Sequence, residues 1–141
     1  MNQRLSSEMV HASTVAKDGR AVVIAGRSGA GKSDLALRLI DRGFVLLSDD
    51  QTLLSKSGDK LIATAPVTIK GKIEVRGIGI VEMANADSAA VCLWVDLSND
   101  VQRLPEARTH MVLGFPIPLI EINPVEASAP VKVELALDQI G

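Results

Sequence analysis

The chain has no tyrosine, one tryptophan and two phenylalanines in 141 residues. So few aromatics exclude a platform on which nucleic-acid bases stack. Net charge is −2 and no Lys/Arg run occurs, so the electrostatic footprint of a nucleic-acid binder is missing too. The single cysteine, Cys92, excludes a disulfide framework within one chain. It lies in the apolar run "AAVCLWV", where a buried inert thiol is expected rather than a nucleophile. No apolar run approaches the ~20 residues of a membrane span. The start, "MNQRLSSEMV", has no apolar signal region. These absences predict a cytoplasmic protein that uses neither nucleic acid nor membrane as a partner.

What remains is an ordinary globular balance, 47% hydrophobic against 23% charged. The length predicts one domain over 1–141, with a core large enough to need no disulfide. Along the chain, "MVHASTVA" (9–16) reads as a strand, and Asp18-Gly19 as a two-residue hairpin turn. "AVVIA" (21–25) is a continuous apolar run, as a buried strand requires. A glycine-rich turn and an amphipathic helix follow, closed by Gly43 as the residue just past its end. "FVLLS", "QTLLSK", "LIATA", "VCLWVDL" and "LIEINP" read as further strands, and "KIEVRGIGIVEM" (72–83) as an extended stretch interrupted by Gly77 and Gly79. "PEARTH" is polar and reads as a mobile loop. The tail "SAPVKVELALDQIG" alternates like a strand but also carries a helical stripe. Ser128 as N-cap and Pro130 in the first turn decide for helix. The pattern predicts an α/β fold.

"GRSGAGKS" (26–33) matches G-x-x-x-x-G-K-S at every fixed position, with an apolar strand before it and a helix after. Gly26, Gly29 and Gly31 let backbone N–H groups turn toward phosphate oxygens; Arg27, Ser28 and Ala30 complete the loop. The helix opening near Lys32 directs its dipole at an anion. Lys32 offers a point charge to the outer phosphates and Ser33 a hydroxyl to Mg²⁺. The motif predicts a nucleotide, not a reaction.

Asp49 and Asp50 end the strand after that helix. A strand–helix–strand crossover makes the two strands parallel, so both end at the sheet edge where α/β proteins bind ligands. Lys32 and Mg²⁺ there offset the repulsion of paired carboxylates; a solvated turn is the alternative. One can act as base while the other holds metal or water. Counting back from the Asp18-Gly19 turn sets His11 opposite Gly26, where it could contact phosphate or tune an aspartate. In "EVRGIGI", Glu74 and Arg76 share one face: either a surface ion pair of little value, or a metal and a phosphate contact with glycines allowing close approach. Asp96, ending an apolar strand, rivals Asp49 as the second Mg²⁺ carboxylate.

Together, "GRSGAGKSDLAL", the His11 spacing, the paired aspartates and "EVRGIGIVEM" resemble the catalytic domain of HPr kinase/phosphorylase over residues 9–137. That family phosphorylates a serine of the phosphocarrier protein HPr and can reverse the reaction by phosphorolysis. The resemblance implies a P-loop-containing, phosphoenolpyruvate-carboxykinase-like mixed sheet with few helices. It implies ATP and Mg²⁺, with HPr as the partner. Asp50 becomes the general base, and the general acid in reverse; His11 lies beside it. Asp49 assists with metal or water, Ser33 and Glu74 hold Mg²⁺, and Lys32 binds phosphates. Arg103 matches a loop arginine used in phosphorolysis. Glu74, Val75, Arg76, Gly77, Ile78 and Gly79 match the family signature. Asp96 matches no functional position. Longer members are hexamers, so a homo-oligomer is implied.

Three departures bear on these expectations. The 141 residues do not include the N-terminal domain usual in the family. They also do not include the helices that, in longer members, help bind HPr. Leu119 in "PIPLIEIN" stands where longer members often carry lysine, which bears on phosphorolysis more than on kinase activity. Two rival functions remain: a small-molecule P-loop kinase, for which no arginine-rich lid segment is present, and a non-catalytic ATP-sensing module.

Overall fold

The computed structural model describes residues 6–140; residues 1–5, part of the stretch read for a signal region, and Gly141 lie outside it. Eleven strands and two helices follow one another as β1 Ser7–Val10, β2 Ala12–Lys17, β3 Arg20–Ala25, α1 Lys32–Asp41, β4 Val45–Ser48, β5 Thr52–Ser57, β6 Lys60–Thr64, β7 Lys72–Val75, β8 Gly79–Glu82, β9 Ala89–Leu97, β10 Arg108–Val112, β11 Phe115–Ile122 and α2 Ala129–Ile140. Nine strands form one mixed sheet, ordered β1-β5-β6-β9-β3-β2-β4, with β11 joined to β9 and β10 to β11. The long β9 branches the sheet: Ala89 and Ala90 pair with β6, whereas Trp94–Leu97 pair with β11. β7 and β8 form a separate hairpin. A mixed sheet with two helices agrees with the expected fold class.

Both faces of the sheet are covered, which explains why β3 reads as uninterrupted apolar sequence. Val15, Val22, Ile24, Leu93 and Val95 pack with Leu35 and Leu39 of α1 and Val133 and Leu137 of α2. The opposite face gathers Ala12, Ala16, Val23, Leu54, Trp94, Val112 and Ile117 without a helix. Among the described residues no helix is long and apolar enough to cross a membrane.

Local chemistry made several elements readable. Asp18 and Gly19 both have positive φ, 54° and 75°, and Lys17 pairs with Arg20 as the turn demands. The end of α1 is a Schellman motif: the Gly43 amide bonds Ile40 O, the Phe44 amide bonds Leu39 O, and Gly43 has φ 104°. At α2 the Lys132 amide bonds Ser128 O, consistent with Ser128 at the N-cap.

Four readings are corrected. Strand 9–16 is broken at His11, because β1 pairs with β5 while β2 pairs with β3 and β4. Residues 72–83 are interrupted at the expected glycines, but as a reversal into two antiparallel strands rather than a break within one extended stretch. Gly77 (φ 85°) and Gly79 (φ 118°) turn the chain, and the Ile78 amide closes on Val75 O at 2.9 Å. Part of "PEARTH", Arg108–His110, lies in β10, which pairs with β11 through a tight Leu113-Gly114 turn. "LIEINP" is only the end of β11, which starts at Phe115.

Candidate active site

The phosphate loop lies between β3 and α1, at the edge where β3 and β4 both end. The parallel relation of β3 and β4 is indirect: β2 lies between them, antiparallel to each. A register shift between Thr14 and Val15 in the β2–β4 ladder is the kind of irregularity that re-aims a strand end. Gly29 and Gly31 have φ 81° and 106°, which a side chain would strain. Gly26 is needed for a different reason. A Cβ there would meet Ala30 Cβ at 3.2 Å and Leu97 Cβ at 3.3 Å.

Gly31 is the N-cap of α1, with Lys32 and Ser33 its first two residues. Lys32 is not the free point charge expected. It is buried, and Nζ donates to Gly26 O at 2.9 Å and Arg27 O at 3.1 Å. The ammonium is thereby held against the loop's own carbonyls.

The two aspartates separate sharply. β4 ends at Ser48, so neither is in a strand. Asp49 is 7% exposed, a burial that a carboxylate tolerates only with donors to its charge. It has three. Ser13 Oγ and Ser33 Oγ donate to Oδ1 at 2.8 and 2.6 Å, and the Glu74 amide donates to Oδ2 at 3.0 Å. Asp50 is exposed and has φ 66°. The Gln51 amide bonds Asp49 O at 2.7 Å across it, a γ-turn with Asp50 at its centre. The Asp50 amide donates to Ser13 Oγ at 3.1 Å.

These parts line one cleft of about 850 Å³. Its walls are residues 28–34 of the loop and helix start, Asp50, and the whole of Glu74–Gly79, with Leu37, Pro124 and Val125 closing the far side. Glu74 is on β7, whereas Arg76 is in the β7–β8 turn, so the two do not share a strand face as alternation suggested. Pro124 and Val125 were not foreseen. Arg38 ties their segment to α1, with Nη2 on Pro124 O at 2.5 Å, Nη1 on Glu126 O at 3.3 Å, and Nε facing Asp34 at 3.1 Å.

Other predicted residues lie elsewhere. The β2–β3 ladder ends at Ala12↔Ala25, so His11 sits one step beyond it, at the bend beside Val10↔Thr52. It is exposed and outside the cleft lining, as is Arg103, on the segment between β9 and β10. Asp96 accepts the Trp94 indole N–H at 3.2 Å and also stays outside the lining. Leu119 pairs with Trp94 and Arg108 in the sheet. Cys92 packs against the helix-side core, and burial pushes its thiol pKa up. Ser13 was missed although a signal existed: with Thr14 it forms a polar pair between Ala12 and Val15, inside a strand that is otherwise apolar up to Lys17.

Comparison with known proteins points to one family. The family model of the HPr serine kinase C-terminal domain matches residues 3–133. The HPr kinase/phosphorylase of Chlorobium phaeobacteroides is 35% identical over 133 residues, covering 83% of this chain and 39% of that one. That of Mycoplasmopsis pulmonis is 45% identical over 74 residues, covering 52% of this chain and 24% of that one. This chain thus spans well under half the length of these curated relatives. The structure of the Hpr(Ser) kinase/phosphatase from Coxiella burnetii superposes with a TM-score of 0.81 at 29% identity, covering 94% of this chain and 89% of that one. With a family model matched over most of its length, the chain belongs to the HPr serine kinase C-terminal domain family.

Proposed function

We infer that the protein transfers the γ-phosphoryl group of ATP to a serine of HPr, with Mg²⁺. The observation that carries this reading is the cleft itself. It joins the phosphate loop, the exposed Asp50 carboxylate and the Glu74–Gly79 segment in one wall. A phosphoryl-transfer site works by positioning and charge stabilisation, and needs an acceptor for the hydroxyl proton. Residues 26–33 hold the phosphates, Asp50 takes the proton of the incoming serine hydroxyl, and Lys32 adds positive charge on the loop side.

The donor chemistry fits Mg²⁺. Ser33 and Glu74 offer oxygen ligands in the cleft, and the Ser33 proton is committed to Asp49, leaving the hydroxyl lone pairs for a cation. Asp49 then acts through Ser33, since it is buried outside the cleft lining and its Oδ1 already accepts two hydroxyls. Among the described residues no three His, Cys, Asp or Glu side chains converge as an all-protein cage; Mg²⁺ needs few protein ligands when phosphates complete its shell. The ion supplies neutralisation of phosphate charge.

His11, next to the Val10↔Thr52 pair, and Arg103, on the exposed β9–β10 segment, belong to the proposal by family resemblance, His11 beside the base and Arg103 for phosphorolysis. Phosphorolysis and assembly as a homo-oligomer, hexameric by resemblance, are parts of the same proposal. A solution mass of one chain by light scattering rejects the assembly.

Mass spectrometry of HPr after incubation with the protein, Mg²⁺ and ATP tests the central claim. A phosphate gained on serine supports it. A gain on histidine, or none, overturns it and favours a small-molecule kinase or an ATP-sensing module.

A further inference from the structure

We propose that Ser13 is a positioning residue that sets the location of the Asp50 carboxylate relative to the phosphate loop. Ser13 is fully buried in β2, on the same side of the strand as Val15 and therefore toward α1. Its hydroxyl is used in both directions. It donates to Asp49 Oδ1 and accepts the Asp50 amide. One side chain thus grips both aspartates, one by its carboxylate and the other by its backbone.

The Asp50 backbone needs such a grip. A positive φ is costly for a residue with a Cβ, and a γ-turn of this sense is strained. Strained residues persist where surrounding bonds over-determine them. Within the turn, the Gln51 amide bonds Asp49 O, and Ser48 Oγ donates to Gln51 O. Neither bond ties Asp50 to the rest of the molecule. The bond to Ser13 does, and it reaches 37 residues back in the chain.

The anchor is well placed for this role. β2 is held on both sides, by β3 and by β4, and Ser13 pairs with Ile24 two residues before Gly26. The strand therefore acts as a spacer of fixed width between phosphate loop and turn. An error of about 1 Å in the base would cost on the order of a hundredfold in rate. Lys32 is held to the loop by bonds of its own, to Gly26 O and Arg27 O, neither of which involves Ser13.

The proposal rests on Asp50 as the base, so its test reads both turnover and the turn itself. Ser13→Ala is compared with Ser13→Thr, which keeps the hydroxyl, and with Thr14→Val. Thr14, next to Ser13 in β2, has its Oγ1 bonded to Thr52 Oγ1 of β5 and makes none of the bonds to the two aspartates. We expect Ser13→Ala to lower kcat toward HPr by about tenfold or more, with KM for ATP within about twofold. Exchange of the Asp50 amide, followed by NMR on the protein without nucleotide, should quicken by about tenfold relative to amides of β3. Ser13→Thr should restore both, and Thr14→Val should change neither. If Ser13→Ala does not fold, Ser13→Cys takes its place, since a thiol is a weak hydrogen-bonding partner. Unchanged Asp50 exchange, or the same kcat loss in Thr14→Val, overturns the proposal. A wild-type protein inactive on HPr defeats the functional reading instead, and the exchange comparison still decides whether Ser13 holds the turn.

Discussion

Ser33 Oγ donates to Asp49 Oδ1 at 2.6 Å, joining the second residue of the P-loop helix to the residue just beyond β4. Through this contact the Ser33 hydroxyl, which lines the cleft, is oriented by a carboxylate that does not itself face it. Two aspartates adjacent in sequence thereby acquire different work. Asp49 is buried as a junction of hydrogen bonds, and Asp50 is exposed on the cleft wall.

Asp50→Asn removes a proton acceptor and leaves the phosphate loop untouched. We expect MgATP affinity within about threefold of wild type and transfer to HPr reduced by about 10²–10⁴, the usual weight of a general base. Calorimetry and labelled-phosphate transfer measure the two. Wild-type transfer in this variant would remove Asp50 from the role.

Asp49→Asn should act mainly on stability and metal dependence. An amide cannot accept three donors on two oxygens, and its NH₂ would face the Glu74 amide or the serine hydroxyls. Leaving buried groups unpaired costs about 1–3 kcal/mol. Urea unfolding should show this loss, and the Mg²⁺ concentration for half-maximal nucleotide binding should rise. No change in either would mean the junction carries no load.

Gly71 and Gly58 both have positive φ, 77° and 62°, but their surroundings differ. A Cβ on Gly71 would come 2.7 Å from Asn85 Nδ2, whereas Gly58 has nothing within 4 Å. Gly58→Ala should cost about 1–2 kcal/mol from left-handed backbone alone. Gly71→Ala should cost more, because Asn85 must move, and its side chain bonds both Lys70 and Met83 O at the base of the β7–β8 hairpin. Equal costs in chemical denaturation would contradict this.

Cys92 offers a pH test. Desolvation raises its pKa, with Arg20 and Lys60 opposing. A raised pKa in the folded state means the unfolded chain gives up the proton first as pH climbs. Stability from this group is therefore full below the ordinary thiol pKa and declines above it, toward the raised folded value. Cys92→Ala should flatten that alkaline decline. A thiol reagent at pH 8 should react more slowly with the folded protein than with the urea-unfolded chain. Equal rates would show the thiol to be accessible.

Much of this site was legible from local residues. The phosphate loop, the Schellman glycine, the Asp18-Gly19 turn and the terminal helix depend on contacts within a few positions, where residue type and spacing act directly. Strand polarity even carried Asp49 and Asp50 to the correct sheet edge. The burial of Asp49, the γ-turn at Asp50 and the closing of the cleft by Pro124 and Val125 left no such local trace. The bonds that anchor them to the rest of the molecule join positions 16 to 86 residues apart.

The sequence by itself therefore determined that a G-x-x-x-x-G-K-S loop follows a buried strand, and that the chain brings the adjacent Asp49 and Asp50 to the same sheet edge. Only the tertiary structure decided how those carboxylates divide the work. That division depends on β2 lying between β3 and β4, which brings Ser13 under both aspartates, and on the β7–β8 hairpin folding back to bring the Glu74 amide onto Asp49. Sheet order arises from the packing of apolar faces across the whole domain. A pair of adjacent aspartates cannot encode which of them that packing will bury.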